Sequence, residues 1–163
     1  MSHESAGHAA NADRHSADHH NADRSIDWDA LRKAALEAAT HAYAPYSEVS
    51  VGAAALTDGG SIVTGCNVEN ASYGVGMCAE CILVGNLALA GGGKIVAFDC
   101  VDSTGETLMP CGRCRQLLAE HAVAGMQLNT DHGVMTIEEV MPHAFGSRQL
   151  AKFANTSLRK DLD

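Results

Sequence analysis

The chain has 163 residues, 46% of them apolar and 19% charged, and a formal net charge of −9. That is enough for one soluble domain with a real core. With no Lys or Arg run, it argues against a nucleic-acid partner and suits a neutral or cationic small substrate.

Residues 1–25 are rich in Ala, Asn, Asp, Ser and His, with Asn-Ala-Asp-Arg at 11–14 and again at 21–24. Nothing there could bury a core, so the segment reads as a disordered polar tail. Weak metal capture by its scattered imidazoles, with His19-His20 the only adjacent pair, is the sharper alternative. No apolar stretch marks a secretory leader, which predicts a cytoplasmic protein. The six cysteines then read as thiols, with metal binding favoured over disulfides.

The folded part begins with a helix. Asp27 is a good N-cap, and Trp28, Leu31, Ala35, Leu36 and Ala39 recur at helical spacing, with Pro45 marking the end. A hairpin follows, with strands over 49–56 and 61–69 around Asp58-Gly59-Gly60. Strand alternation puts Asn67 and Glu69 on one face. They could fork around a hydroxylated ligand or merely cap the next turn, and the residues alone leave both open. A loop over 70–77 carries Tyr73.

Residues 78–90 read as a helix that is apolar almost all round and therefore buried, stopped by Gly91-Gly92-Gly93. The apolar stretch 82–98 is interrupted by Asn86, these glycines and Lys94, so it does not span a membrane. A strand over 94–101, a helix from Cys111 to about Ala122 after Pro110, and short strands at 126–129 and 134–136 complete the alternation. Residues 147–163 read as a polar terminal helix or tail. The order predicts an α/β layered domain with a mixed sheet.

The chemistry-bearing stretches are Met77-Cys78-Ala79-Glu80-Cys81 and Pro110-Cys111-Gly112-Arg113-Cys114. Cysteines at i and i+3 can converge on one zinc ion. Each pair opens a predicted helix, whose free N–H groups and positive dipole end stabilise thiolate. A carboxylate beside such a metal moves protons in hydrolysis. The competing reading is a closed four-Cys structural site without chemistry. Two features argue against it. The separation of the two pairs exceeds the roughly 15–20 residues usual for that pattern, and a structural site does not require Glu80. Cys81 is the residue on which the choice turns. Cys66 and Cys100, in strand-like apolar runs, read as buried inert thiols.

These residues resemble the zinc-dependent cytidine deaminase family, whose general pattern is His or Cys, any residue, Glu, then Pro-Cys-x-x-Cys. Further matches are Ala44-Pro45-Tyr46-Ser47, Val51-Gly52-Ala53-Ala54, the run from Gly65 to Tyr73, Cys114-Arg115-Gln116 and Met141-Pro142-His143-Ala144-Phe145-Gly146. The resemblance implies a catalytic domain over 26–147 with a three-layer helix–sheet–helix fold on a five-stranded mixed sheet. It implies one zinc per subunit on Cys78, Cys111 and Cys114, Glu80 as proton shuttle, and hydrolysis of cytidine and deoxycytidine to uridine and deoxyuridine plus ammonia, as in pyrimidine salvage. Asn67 and Glu69 would hold the sugar, Ala79 would line the substrate site, and Tyr73 and Phe145 would help close a site shared within a homotetramer. A deaminase of a related nucleoside such as blasticidin S, or a non-catalytic four-Cys zinc protein, is the alternative.

Two departures from the family bear on the site. Cys81 stands where an Arg often offsets thiolate charge, leaving Arg113, Arg115 or helix dipoles to compensate. Val49 stands where an aromatic would line the base pocket.

Overall fold

The computed structural model describes residues 25–154; the expected tail before Ser25 and the end of the chain after Ala154 lie outside the described residues. Asp27 caps the first helix, α1 (Trp28–Ala39), its carboxylate accepting from the Ala30 N–H at 2.9 Å. The helix ends well before Pro45, with the Thr40 hydroxyl donating to the Glu37 carbonyl at 2.7 Å. Strands β1 (Val51–Thr57) and β2 (Ile62–Cys66) form the hairpin. A single 3₁₀ turn, Tyr73–Val75, precedes α2 (Ala79–Leu89). Then come β3 (Ile95–Asp102), α3 (Gly112–His121), β4 (Ala122–Thr130), β5 (Gly133–Thr136), α4 (Ile137–Val140) and α5 (Ser147–Ala154).

The sheet has five strands in the order β2-β1-β3-β4-β5. All neighbours are antiparallel except β3 and β4, which run parallel around the α3 crossover. The predicted mixed sheet is therefore present. β4 is longer than expected because it starts at Ala122, which pairs with Ile95 before an irregularity shifts the register.

Period-two alternation divides the core between the two faces of the sheet. On one face, Ala53, Ala55, Phe98 and Cys100 pack with Leu83 and Leu87 of α2, Leu118 of α3 and Ile137 of α4. On the other, Ala54, Ala97 and Val101 meet Leu31 and Ala35 of α1. Trp28 packs at the edge of this second cluster.

Two glycines set how closely the helices approach. A Cβ on Gly52 of β1 would run into the Ala35 carbonyl of α1, and one on Gly65 of β2 into the Ala79 carbonyl and Leu83 amide of α2. The second contact matters for function, because it seats the first turn of α2 against the sheet.

The α1 layer is also clamped by charge. Asp99 is fully buried, and Arg32 grips it with Nε to Oδ2 at 3.1 Å and Nη2 to Oδ1 at 3.2 Å. The same guanidinium reaches the Gly105 carbonyl and the Thr107 hydroxyl, tying down the loop after β3. The pair is satisfied within the chain, as a buried charge requires.

α2 differs from expectation. Leu83, Val84 and Leu87 are buried, but Gly85, Asn86, Ala88 and Leu89 are exposed, Leu89 at 88%. The strip formed by Gly85, Ala88 and Leu89 is covered by none of the described residues.

Candidate active site

Helix ends bring the sulfurs together. Cys78 is the N-cap of α2 and Cys111 the N-cap of α3, both with extended backbone. Cys114 lies in the first turn of α3 and is fully buried. The Sγ atoms of Cys78, Cys111 and Cys114 all lie within 4.8 Å of one another. Thiolates from two positive helix ends suit a soft, sulfur-preferring divalent ion, and zinc fits that donor set.

Charge within the cluster is uneven. Burial pushes the Cys114 thiol up strongly, and the neighbouring Glu80 charge pushes the same way. Cys78 is raised for the same first reason, burial. Cys111 is lowered, chiefly by the backbone N–H of Cys114 at the open end of α3. Metal loading must therefore displace protons from Cys78 and Cys114.

Cys81 is not part of the three-sulfur group. Its Sγ accepts from Arg113 Nη2 at 3.1 Å, so the residue that could have closed a four-Cys site faces a guanidinium instead. This contact also answers the question of compensating charge: Arg113 lies beside the cluster. Arg115 does not serve that purpose. It donates to the Pro110 and Val140 carbonyls, bracing the turn before α3 against α4.

A cavity of about 390 Å³ opens beside the sulfurs. Asn67, Glu69, Tyr73, Cys78, Ala79, Glu80 and Cys111 all line it, with Val51, Leu108 and Met109 adding apolar surface. Glu80 is 4% exposed and makes no ion pair among the described residues. Its position in the first turn of α2, directly after the Cys78 cap, is what aims it at this space. Residues two apart in a continuing helix face different ways; here Cys78 is still in extended backbone, so the two side chains converge.

Asn67 and Glu69 lie just past the end of β2, not within it as expected. Val68 between them holds the extended path by a two-way bridge to Met77, at 2.9 and 2.8 Å. Alternation survives the end of the strand. Both side chains are partly committed to the chain: Asn67 Oδ1 accepts from the Val51 N–H and its Nδ2 donates to the Val49 carbonyl, each at 2.8 Å. Glu69 accepts from Tyr46, Ser47 and the Ser47 hydroxyl.

Phe145 is not brought to the cavity within one chain. It is 55% exposed, and Gln116 Nε2 donates to its carbonyl at 2.7 Å. Val49 is likewise outside the lining, with Val51 present in it. Cys100, expected to be inert, is buried but borders the cavity, while Cys66 is only half-buried. Sequence reasoning gave Ser47, Leu108 and Met109 no role. Ser47 stood inside a quoted motif, whereas nothing local marked Leu108 or Met109.

The family described as the cytidine and deoxycytidylate deaminase zinc-binding region matches residues 26–130. The chain belongs to that family. Membership makes it a hydrolase of the deaminase type with zinc as its cofactor, as the sulfur group also indicates. A cytidine deaminase of Mycobacterium tuberculosis is 52% identical over 129 residues, covering 78% of this chain and 96% of that protein. One from Halalkalibacterium halodurans is 38% identical over 130 residues, covering 77% and 98%. The crystal structure of cytidine deaminase from Mycobacterium tuberculosis superposes with a TM-score of 0.73 at 50% identity, covering 75% of this chain and 99% of that one. The three-layer fold and five-stranded mixed sheet of this deaminase agree with that likeness.

Proposed function

We propose that the chain hydrolyses cytidine and deoxycytidine to uridine and deoxyuridine, releasing ammonia. The observation that carries this is three mutually close sulfurs, two of them lining one cavity, beside a buried carboxylate that makes no ion pair among the described residues.

Cys78, Cys111 and Cys114 would hold zinc, which when bound supplies a water acidified towards about pH 7. Glu80 takes the proton of the attacking water and passes it to ring N3, which makes C4 electrophilic. The water oxygen bonds to C4, and Glu80 then carries the remaining proton of that new hydroxyl to the exocyclic amine, whose bond to C4 breaks to release ammonia. One carboxylate serves both transfers because burial keeps bulk water from competing for its protons. Asn67 and Glu69 bind sugar hydroxyls, and Ala79 and Tyr73 line the remaining substrate surface.

Tyr73 is 81% exposed, Val75 61% and Phe145 55%, an apolar set near the cavity mouth and beyond it. Together with the uncovered face of α2, this supports assembly into a homotetramer in which neighbouring copies complete the site. Six free thiols and no described helix long and apolar enough to cross a membrane fit a cytoplasmic enzyme of pyrimidine salvage.

The test is an absorbance assay on cytidine and deoxycytidine, with zinc measured on the same sample. Turnover of both with one zinc per subunit is the expected result. Zinc-loaded protein that releases no ammonia would remove the proposal.

A further inference from the structure

Glu69 has less freedom than its exposure suggests. A carboxylate offers about four acceptor positions. Oε2 takes two backbone N–H groups, from Tyr46 at 2.9 Å and Ser47 at 3.2 Å. Oε1 takes the Ser47 hydroxyl in a short hydrogen bond. A single acceptor position remains, on Oε1, and its direction depends on where the Ser47 hydroxyl lies.

The Ser47 hydroxyl is itself fixed. Its oxygen accepts from the Val49 N–H at 3.1 Å, so it cannot rotate freely away from Glu69. Between the two, Glu48 has a φ of 60°, a left-handed conformation unfavourable for a residue with a side chain. Hydrogen bonds on both sides hold this turn against its own preference. Glu69 also borders a second cavity of about 310 Å³, which Tyr46, Ser47 and Tyr73 line with it, so its carboxylate stands between two spaces.

We propose that Ser47 is a positioning residue for substrate: it aims the one open acceptor of Glu69 at a sugar hydroxyl in the catalytic cavity. This rests on the assignment of Glu69 to the sugar. The Ser47 hydroxyl is also the foremost influence holding the Glu69 carboxyl below its usual range, which keeps it an acceptor. Ser47 touches neither metal ligand nor Glu80, so its effect should fall on binding and spare the proton transfers.

The experiment measures kcat, KM, zinc content and melting temperature for Ser47→Ala, Ser47→Thr, Glu69→Ala and the double variant Ser47→Ala/Glu69→Ala, on cytidine and on free cytosine. The inference expects Ser47→Ala to raise KM for cytidine about tenfold, with kcat and zinc unchanged. Ser47→Thr, which keeps the hydroxyl, should restore KM. In the Glu69→Ala background the same Ser47 change should add less than about twofold, since coupled residues are not additive. Ser47→Ala with an unchanged KM, or with an equal effect in both backgrounds, overturns the inference while leaving the sugar assignment standing. Glu69→Ala that leaves cytidine KM unchanged overturns the sugar assignment itself, and with it the inference.

Discussion

The two faces of one sheet hold a buried carboxylate each, and they use it in opposite ways. On the α1 face, Asp99 is fully buried and gripped by Arg32. On the α2 face, Glu80 is nearly as buried but pairs with no cation among the described residues and borders a cavity. Asp99 and Cys100 are consecutive in β3, so a single step along the chain separates the two environments. A buried charge with its partner in the same chain is scaffold. A buried charge left facing thiols and open space is held ready for something that arrives later.

The comparison breaks most sharply at the carboxylates. Glu80→Gln should keep zinc and fold, and lower kcat by about three to four orders of magnitude. Single-substrate kinetics with zinc content checks this, and near-normal turnover would end the proposed mechanism. Arg32→Ala should do the reverse. It strands Asp99 as an uncompensated buried charge and should cost about 3–5 kcal/mol of stability. Denaturant unfolding reads that loss, while kcat per folded molecule should hold.

The same opposition can be posed with one methyl group. Gly52→Ala and Gly65→Ala each force a helix off the sheet, with an overpacking cost of about 1–3 kcal/mol. Only Gly65→Ala moves the turn that carries Cys78 and Glu80, and a misplacement of about 1 Å can cost about a hundredfold in rate. Similar melting temperatures with a large drop in kcat for Gly65→Ala alone would sharpen the contrast. Equal rates in both would dissolve it. The smallest effect belongs to Cys81→Ser, which should leave one zinc per subunit, because this sulfur lies with Arg113 outside the three-sulfur group. Loss of metal in that variant would return the four-Cys site to consideration.

Much of the site was readable because its residues are close in sequence and tied to helix starts. Spacing and the physics of N-termini pointed to the two cysteine pairs and the acid between them, and the family resemblance singled out Cys78, Cys111 and Cys114 from the four. Alternation put Asn67 and Glu69 on one face and the resemblance gave them the sugar, although the strand that was expected to carry them ends at Cys66. The bridge of Val68 to Met77 keeps the extended path, and that pairing is not visible locally. Burial all round α2 was read from its composition, yet Gly85, Ala88 and Leu89 are covered by none of the described residues. Composition reports that a face is apolar, not which molecule covers it.

The Arg32–Asp99 clamp lay out of reach for another reason. Its members are 67 positions apart, and nothing in either neighbourhood names the other.

By itself, the sequence determined the ordering of elements, the thiol ligands on offer, the acid between them and the family to which they belong, since each is a local pattern of spacing and propensity. Tertiary structure alone decided that three sulfurs converge while the fourth turns to Arg113, and that Ser47 braces Glu69. Those outcomes depend on where separate helix ends and loops meet in space, and that meeting is set by packing across the sheet.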